Sequence, residues 1–160
     1  MSRNPTHAIL EKLESKPFGL ALFSRIICWK APYFGSIRPR FTTLRPGYGQ
    51  AYLKKRRRVT NHIGTVHAIA MANLCEFVGG TLMEVSIAPD MRWIPKGMDI
   101  RYLAKANTAV TATCTIGDFD WQHTQDVILD VAVTDTAGQI VAQAKIPMYV
   151  SPKKRTASPA

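Results

Sequence analysis

Along the second half of the chain, apolar and polar residues alternate with a period of two. Met98, Ile100, Tyr102 and Ala104 alternate with Asp99, Arg101 and Lys105. Val110, Ala112, Cys114 and Ile116 alternate with Thr111, Thr113 and Thr115, and Val127, Leu129, Val131 and Val133 with Asp126, Asp130 and Thr134. The turn Asp135-Thr136-Ala137-Gly138 then leads into a fourth run, Ile140 to Val150. This alternation predicts an antiparallel sheet with one covered face. Two further strands are expected at Ile37 to Leu44 and Tyr48 to Val59, around the turn Arg45-Pro46-Gly47.

From Thr65 to about Glu84 the pattern becomes helical. Val66, Ile69, Ala70, Leu74, Phe77 and Val78 spread apolar groups over much of the circumference, so this helix should be largely enclosed, although Gly79-Gly80 weakens its last part. It is the one long enclosed helix available to cover the sheet. His7 to Glu14 reads as a short amphipathic helix, and Pro17 suits the first turn of a second helix ending near Trp29. Ala31 to Gly35 reads as a loop. Ala88 to Gly97, with Pro89, Pro95 and an exposed Met91-Arg92-Trp93, reads as a loop with about one helical turn. Ser151 to Ala160 is polar, basic and expected to be disordered. The division is therefore a helical extension over 1–35, one domain over 36–150 and a tail over 151–160.

Charge adds one feature to this picture. The formal net charge is +10 over 160 residues, concentrated in Lys54-Lys55-Arg56-Arg57-Arg58 and Lys153-Lys154-Arg155. Polyanions, anionic lipid and phosphorylated small molecules are attracted to such a surface. The basic block is expected to close the second strand. Three cysteines, Cys28, Cys75 and Cys114, lack CxxC spacing, so no zinc site or disulfide framework follows and a reducing, cytoplasmic setting is expected. Met1 to Lys12 lacks the apolar core of a signal peptide. The apolar stretch Phe18 to Trp29 contains Ser24 and Arg25 and is too short for a transmembrane segment.

The densest chemistry lies in Asn61-His62-Ile63-Gly64-Thr65-Val66-His67-Ala68-Ile69 and in Glu76. Free N–H groups and the positive end of the helix dipole gather at a helix start and can hold a developing negative charge. A carboxylate among Leu74, Cys75, Phe77 and Val78 would be costly to bury without a purpose or a partner such as Arg101. His67 and Glu76 lie nine residues apart, about 13 Å along the axis and on opposite sides of the helix. Within one chain they cannot meet. A joint site needs the tip of one helix to face the middle of another across a twofold axis.

The order Asn61, His67, Glu76 resembles the Asn…His-Gly-Gly…Asp spacing of hotdog acyl-CoA thioesterases of the phenylacetate-pathway type. The wording around Asn61 to Ala70 also resembles a less characterised thioesterase-like hotdog branch. The resemblance covers residues 36–150. It implies an α+β hotdog fold, an antiparallel sheet wrapped around a long central helix, here with extra N-terminal helices. It also implies hydrolysis of an acyl-CoA to free acid and coenzyme A in a homodimer or dimer of dimers. Coenzyme A enters only as part of the substrate, with no separate cofactor and no metal. The roles implied are carbonyl polarisation by the Ala68 N–H, water activation or direct attack by Glu76 from the partner subunit, and orientation by Asn61 and His67. Lys54, Lys55, Arg56, Arg57 and Arg58 would pair with coenzyme A phosphates. Three positions depart from the pattern: Ala68 replaces glycine, Glu76 replaces aspartate, and Ala104 stands near a position held by Ser or Thr.

Three rival readings carry weight. A non-catalytic acyl or lipid binder would keep the groove without the Ala104 hydroxyl. A hotdog dehydratase would pair His62 with Glu76, but its Pro/Gly-rich intervening segment is missing. A nucleic-acid or membrane-surface module would use the basic block, but only Tyr48 and Tyr52 flank it, a poor stacking platform for nucleic acid. Asp118, Asp120 and His123 form no recognisable metal pattern, and His123 reads as surface. Trp93 and Met91 either line an acyl tunnel or pack.

Overall fold

The computed structural model describes residues 4–117 and 119–153, so Asp118, Lys154 and Arg155 lie outside the described residues. Helices α1 (Pro5–Glu14), α2 (Gly19–Lys30) and α3 (Pro32–Gly35) precede strands β1 (Arg40–Arg45) and β2 (Tyr48–Leu53). A 3-10 turn (Arg57–Val59) leads to the long helix α4 (Ala68–Ser86). Five strands follow: β3 (Met91–Pro95), β4 (Asp99–Tyr102), β5 (Val110–Thr115), β6 (Gln125–Asp135) and β7 (Ile140–Pro152). They form one seven-stranded antiparallel sheet in the order β1-β2-β5-β6-β7-β3, with β4 also on β7. The sheet wraps around α4, which is the hotdog architecture.

Helix α4 is long and apolar enough to cross a bilayer by length and composition, but 72% of its apolar window is buried inside the fold, so it is the core. Its glycines are there for close approach. A Cβ on Gly79 would lie 3.3 Å from both Ile146 and Leu129, and one on Gly80 would lie 3.2 Å from the Trp93 ring. Leaving both positions bare lets the sheet and Trp93 settle onto the helix, which repays the weak helix propensity of glycine. The helix therefore runs through Gly79-Gly80 without a break. Phe77 anchors its middle, stacked on Phe41 at 4.5 Å and edge-on to Phe34 at 5.4 Å.

The N-terminal helices share this core. Leu10 and Phe23 are fully buried in it. Asn4 caps α1 by accepting from the Thr6 N–H and donates to the Glu84 carbonyl, tying α1 to the end of α4. Ser24 Oγ accepts from the Phe41 N–H at 2.9 Å, fixing α2 against β1.

Several sequence expectations need correction. Pro17 does not open α2. Phe18 is left-handed, and the backbone at Gly19 passes so close to the Leu13 carbonyl that any Cβ would clash, so the helix starts at Gly19. Residues 32–35, expected as loop, form α3. The basic block is not strand: β2 ends at Leu53, and the chain turns so that Val59 reaches the core and Arg56 donates to the Ile37 carbonyl at 2.5 Å. Met91–Pro95 is a strand, its Pro95 at the strand end where the missing N–H costs no ladder bond. Met91 is buried, not exposed, and Ser151 and Pro152 extend β7 to pair with Arg92 and Met91.

Phe77→Ala should lower unfolding free energy by about 3–5 kcal/mol in urea titration, since it opens a cavity between two other rings. A loss below about 1 kcal/mol would show that these rings are not the anchor. Burial, reinforced by Cys114 and Asp130 respectively, pushes the thiols of Cys75 and Cys114 up to about 12. Ellman's reagent near pH 8 should leave both unreacted in native protein, and prompt labelling of either would contradict their burial.

Candidate functional site

The segment from Val59 to His67 is folded by its own polar groups. Asn61 accepts from the Ile63 and Thr65 N–H groups at 3.2 and 3.1 Å, and its amide donates to Thr65 Oγ1 at 2.8 Å. Gly64, at φ +78°, supplies the left-handed residue that the turn requires. The Val66 N–H donates to the Ala106 carbonyl and the His67 N–H to the Val59 carbonyl. His67 is the N-cap of α4: its Nδ1 accepts from the Ile69 N–H at 3.1 Å, which places the ring proton on Nε2. The Ala68 N–H, the first of the helix, has no acceptor among the described residues. An unpaired N–H at the positive end of a 19-residue helix favours a negative charge.

Three separate grooves divide the expected site residues. Asn61 and Ala68 share a groove of about 340 Å³ with Ala104 and the exposed Tyr102 and Leu103. His67 opens into another of about 380 Å³, with Arg58, Ile69 and Asn73. Glu76 lies in a third of about 340 Å³, between Ile27, Lys30, Phe34 and Trp93. The expected burial of Glu76 is not found. It is exposed, on the same stripe of α4 as Ile69 and Ala72, the side turned away from the sheet. No ion pair joins it to Arg101 among the described residues; Arg101 lies on the outer sheet face beside Asp130 and Lys145. The nine-residue separation of tip and carboxylate holds within the chain.

The basic block is split in its employment. Lys55 donates to the Asn107 carbonyl and Arg56 to that of Ile37, so both hold the backbone. Lys54, Arg57 and Arg58 remain exposed, and Arg58 alone borders the His67 groove. His62 is exposed and shares no groove with Glu76. His123 Nδ1 lies 2.7 Å from Asp120 on an exposed loop. There the Gln122 N–H first, and then His123, hold the Asp120 carboxyl below its usual range.

Sequence reasoning missed the walls of the Glu76 groove. Trp93 donates its indole N–H to Glu84 at 2.7 Å, fixing the ring over Gly80. Lys30 enters from the end of α2. Glu84, two turns beyond Glu76, was the available signal for a second carboxylate along that groove. Asn73 is buried, donates weakly to Tyr33 and Ser36, and keeps its Oδ1 without a partner.

The fold and the family follow from comparison. A crystal structure described as genomics APC5556 is 42% identical, with a TM-score of 0.81, covering 92% of this chain and 99% of that one. PA5026 from Pseudomonas aeruginosa, a protein of unknown function described as a probable thioesterase, is 22% identical, with a TM-score of 0.74 over 86% of this chain and 97% of its own. A hypothetical thioesterase from Streptococcus pneumoniae, solved with coenzyme A, is 17% identical, with a TM-score of 0.66 over 79% of this chain and 98% of its own. No curated protein matches. The family described as Domain of unknown function (DUF4442) matches residues 19–150, and the chain belongs to it.

Proposed function

We propose that the protein hydrolyses an acyl-CoA thioester at a site built from two copies of the chain. The observation that carries this reading is the unpaired Ala68 N–H at the tip of α4, set against a solvent-exposed Glu76 about 12 Å further along the same helix. Neither is useful alone. Strand β4 has β7 on one side and no strand partner on the other among the described residues, with Tyr102 and Leu103 exposed beside it. A second copy continuing the sheet along that edge would cover those side chains and bring tip and carboxylate together. The coenzyme A bound by the Streptococcus pneumoniae protein supports the choice of thioester.

In this reading the Ala68 N–H polarises the thioester carbonyl. Glu76 of the partner subunit takes a proton from water as the water oxygen bonds to the carbonyl carbon. The tetrahedral oxyanion rests on the helix tip, then collapses as the carbon–sulfur bond breaks, and the thiolate leaves with the proton Glu76 had taken. Asn61 and His67 act by holding the tip in shape. Ile27, Phe34 and Trp93 offer the apolar wall that an acyl chain needs. Lys54, Arg57 and Arg58 are the members of the basic block left free to meet phosphates.

A second reading, an acyl binder without turnover, is favoured by Ala104. It stands in the Ala68 groove with no hydroxyl to place water. One assay separates the two. Hydrolysis predicts thiol release from a panel of acyl-CoAs, falling at least about 100-fold in kcat for Glu76→Gln with little change in KM. A folded wild-type protein that retains an acyl ligand without turnover would replace it with the binder.

The capping role of His67 has its own test. His67→Ala should lower stability by about 1 kcal/mol, whereas His67→Asn, a good N-cap, should keep both stability and thiol release. A stable His67→Asn variant without turnover would contradict a purely positioning role and put the ring in the chemistry.

A further inference from the structure

Helix α2 is apolar on both sides, yet only one side is covered. Phe23 and Ile27 enter the core, while Phe18, Leu22, Arg25 and Trp29 follow at helical spacing along the outer face. Phe18 is 88% and Trp29 84% exposed. Two aromatic rings and a leucine left in water on one stripe mark a contact surface. The same stripe borders a cleft of about 520 Å³, walled by Trp29, Arg25, Arg38 and Arg40, with no acidic side chain among its lining residues.

The arginines of this cleft are uncompensated. None forms an ion pair among the described residues. Arg40 leans over the Tyr52 ring, 5.8 Å from its centre. Arg38 holds a left-handed backbone at φ +49°, a strain of the kind kept at binding sites.

We propose that the outer face of α2 with this arginine cleft docks on an anionic lipid bilayer, the rings entering the headgroup boundary and the cleft seating a lipid phosphate. Aromatic rings beside cations suit that boundary, where one end of each side chain is apolar and the other wet. The net charge of +10 adds long-range attraction to the same surface. Leu22 favours a bilayer over a nucleic acid, since an aliphatic group gains from hydrocarbon and does not stack on bases.

The test reads binding, independently of any hydrolysis. Full-length protein is co-sedimented with vesicles of phosphatidylcholine alone and with about one quarter phosphatidylglycerol. Binding should require phosphatidylglycerol, weaken with salt and shift tryptophan emission to the blue. Arg25→Gln with Arg40→Gln should weaken binding by about fivefold per arginine removed. Trp29→Ser should weaken it too, while Trp29→Phe should keep most binding and lose most of the blue shift. Unchanged circular dichroism keeps these losses from being unfolding. Absent or salt-independent binding would overturn the proposal. So would tighter binding to single-stranded RNA than to vesicles, or a Trp29→Ser effect on oligomer mass instead of on vesicle binding.

Discussion

The structure depends on one helix being buried by one sheet. Once seven strands close around α4, only the tip of that helix and one narrow stripe along its far side can meet a ligand. The tip has a free N–H and a positive dipole end; the stripe carries Glu76. Helical geometry then keeps the two apart. Eight residues separate the Ala68 N–H from Glu76, about 12 Å along the axis, so no side-chain rotation within one subunit joins them. In the proposed reading these are halves of a site that a second copy completes.

Close packing under the sheet explains choices that local propensity would reject. Gly79 and Gly80 are poor helix residues, but the volume a side chain would need there is already held by Ile146, Leu129 and Trp93. The same crowding makes Trp93 a wall of the Glu76 groove, because its ring is pinned by Glu84 above Gly80. At the tip the polar loop does comparable work. Asn61 meets the loop backbone twice and the Thr65 hydroxyl once, and His67 spends its Nδ1 on the helix, so rigidity there comes from the residues a sequence reader would assign to chemistry.

Much of the fold was legible because its strands have one wet face. The period-two runs of β5, β6 and β7 and the apolar circumference of α4 survive as predicted. Strand β3 was hidden because two prolines read as loop, yet Pro89 precedes it and Pro95 sits at its end. The basic block misled because charges on both faces are compatible with a strand end, whereas the deciding fact was long-range: Val59 must reach the core. Glu76 misled in a different way. Its apolar neighbours suggested burial, but Ile69, Ala72 and Glu76 share one stripe, and that stripe has no sheet above it. The outward aromatic face of α2 was invisible for a similar reason, since its sequence is equally apolar on both sides.

Subunit complementation tests the shared site most directly. Glu76→Gln removes the carboxylate. Ala68→Pro removes the tip N–H at the one helical position where proline is well tolerated, after a residue already extended at ψ 138°. Each homogeneous variant should be inactive. Refolded together, they form hybrids in which both lesions fall in one site and the other is whole, restoring about one quarter of wild-type thiol release for a random dimer mixture. No recovery from stable, mixed dimers would contradict a site shared between subunits.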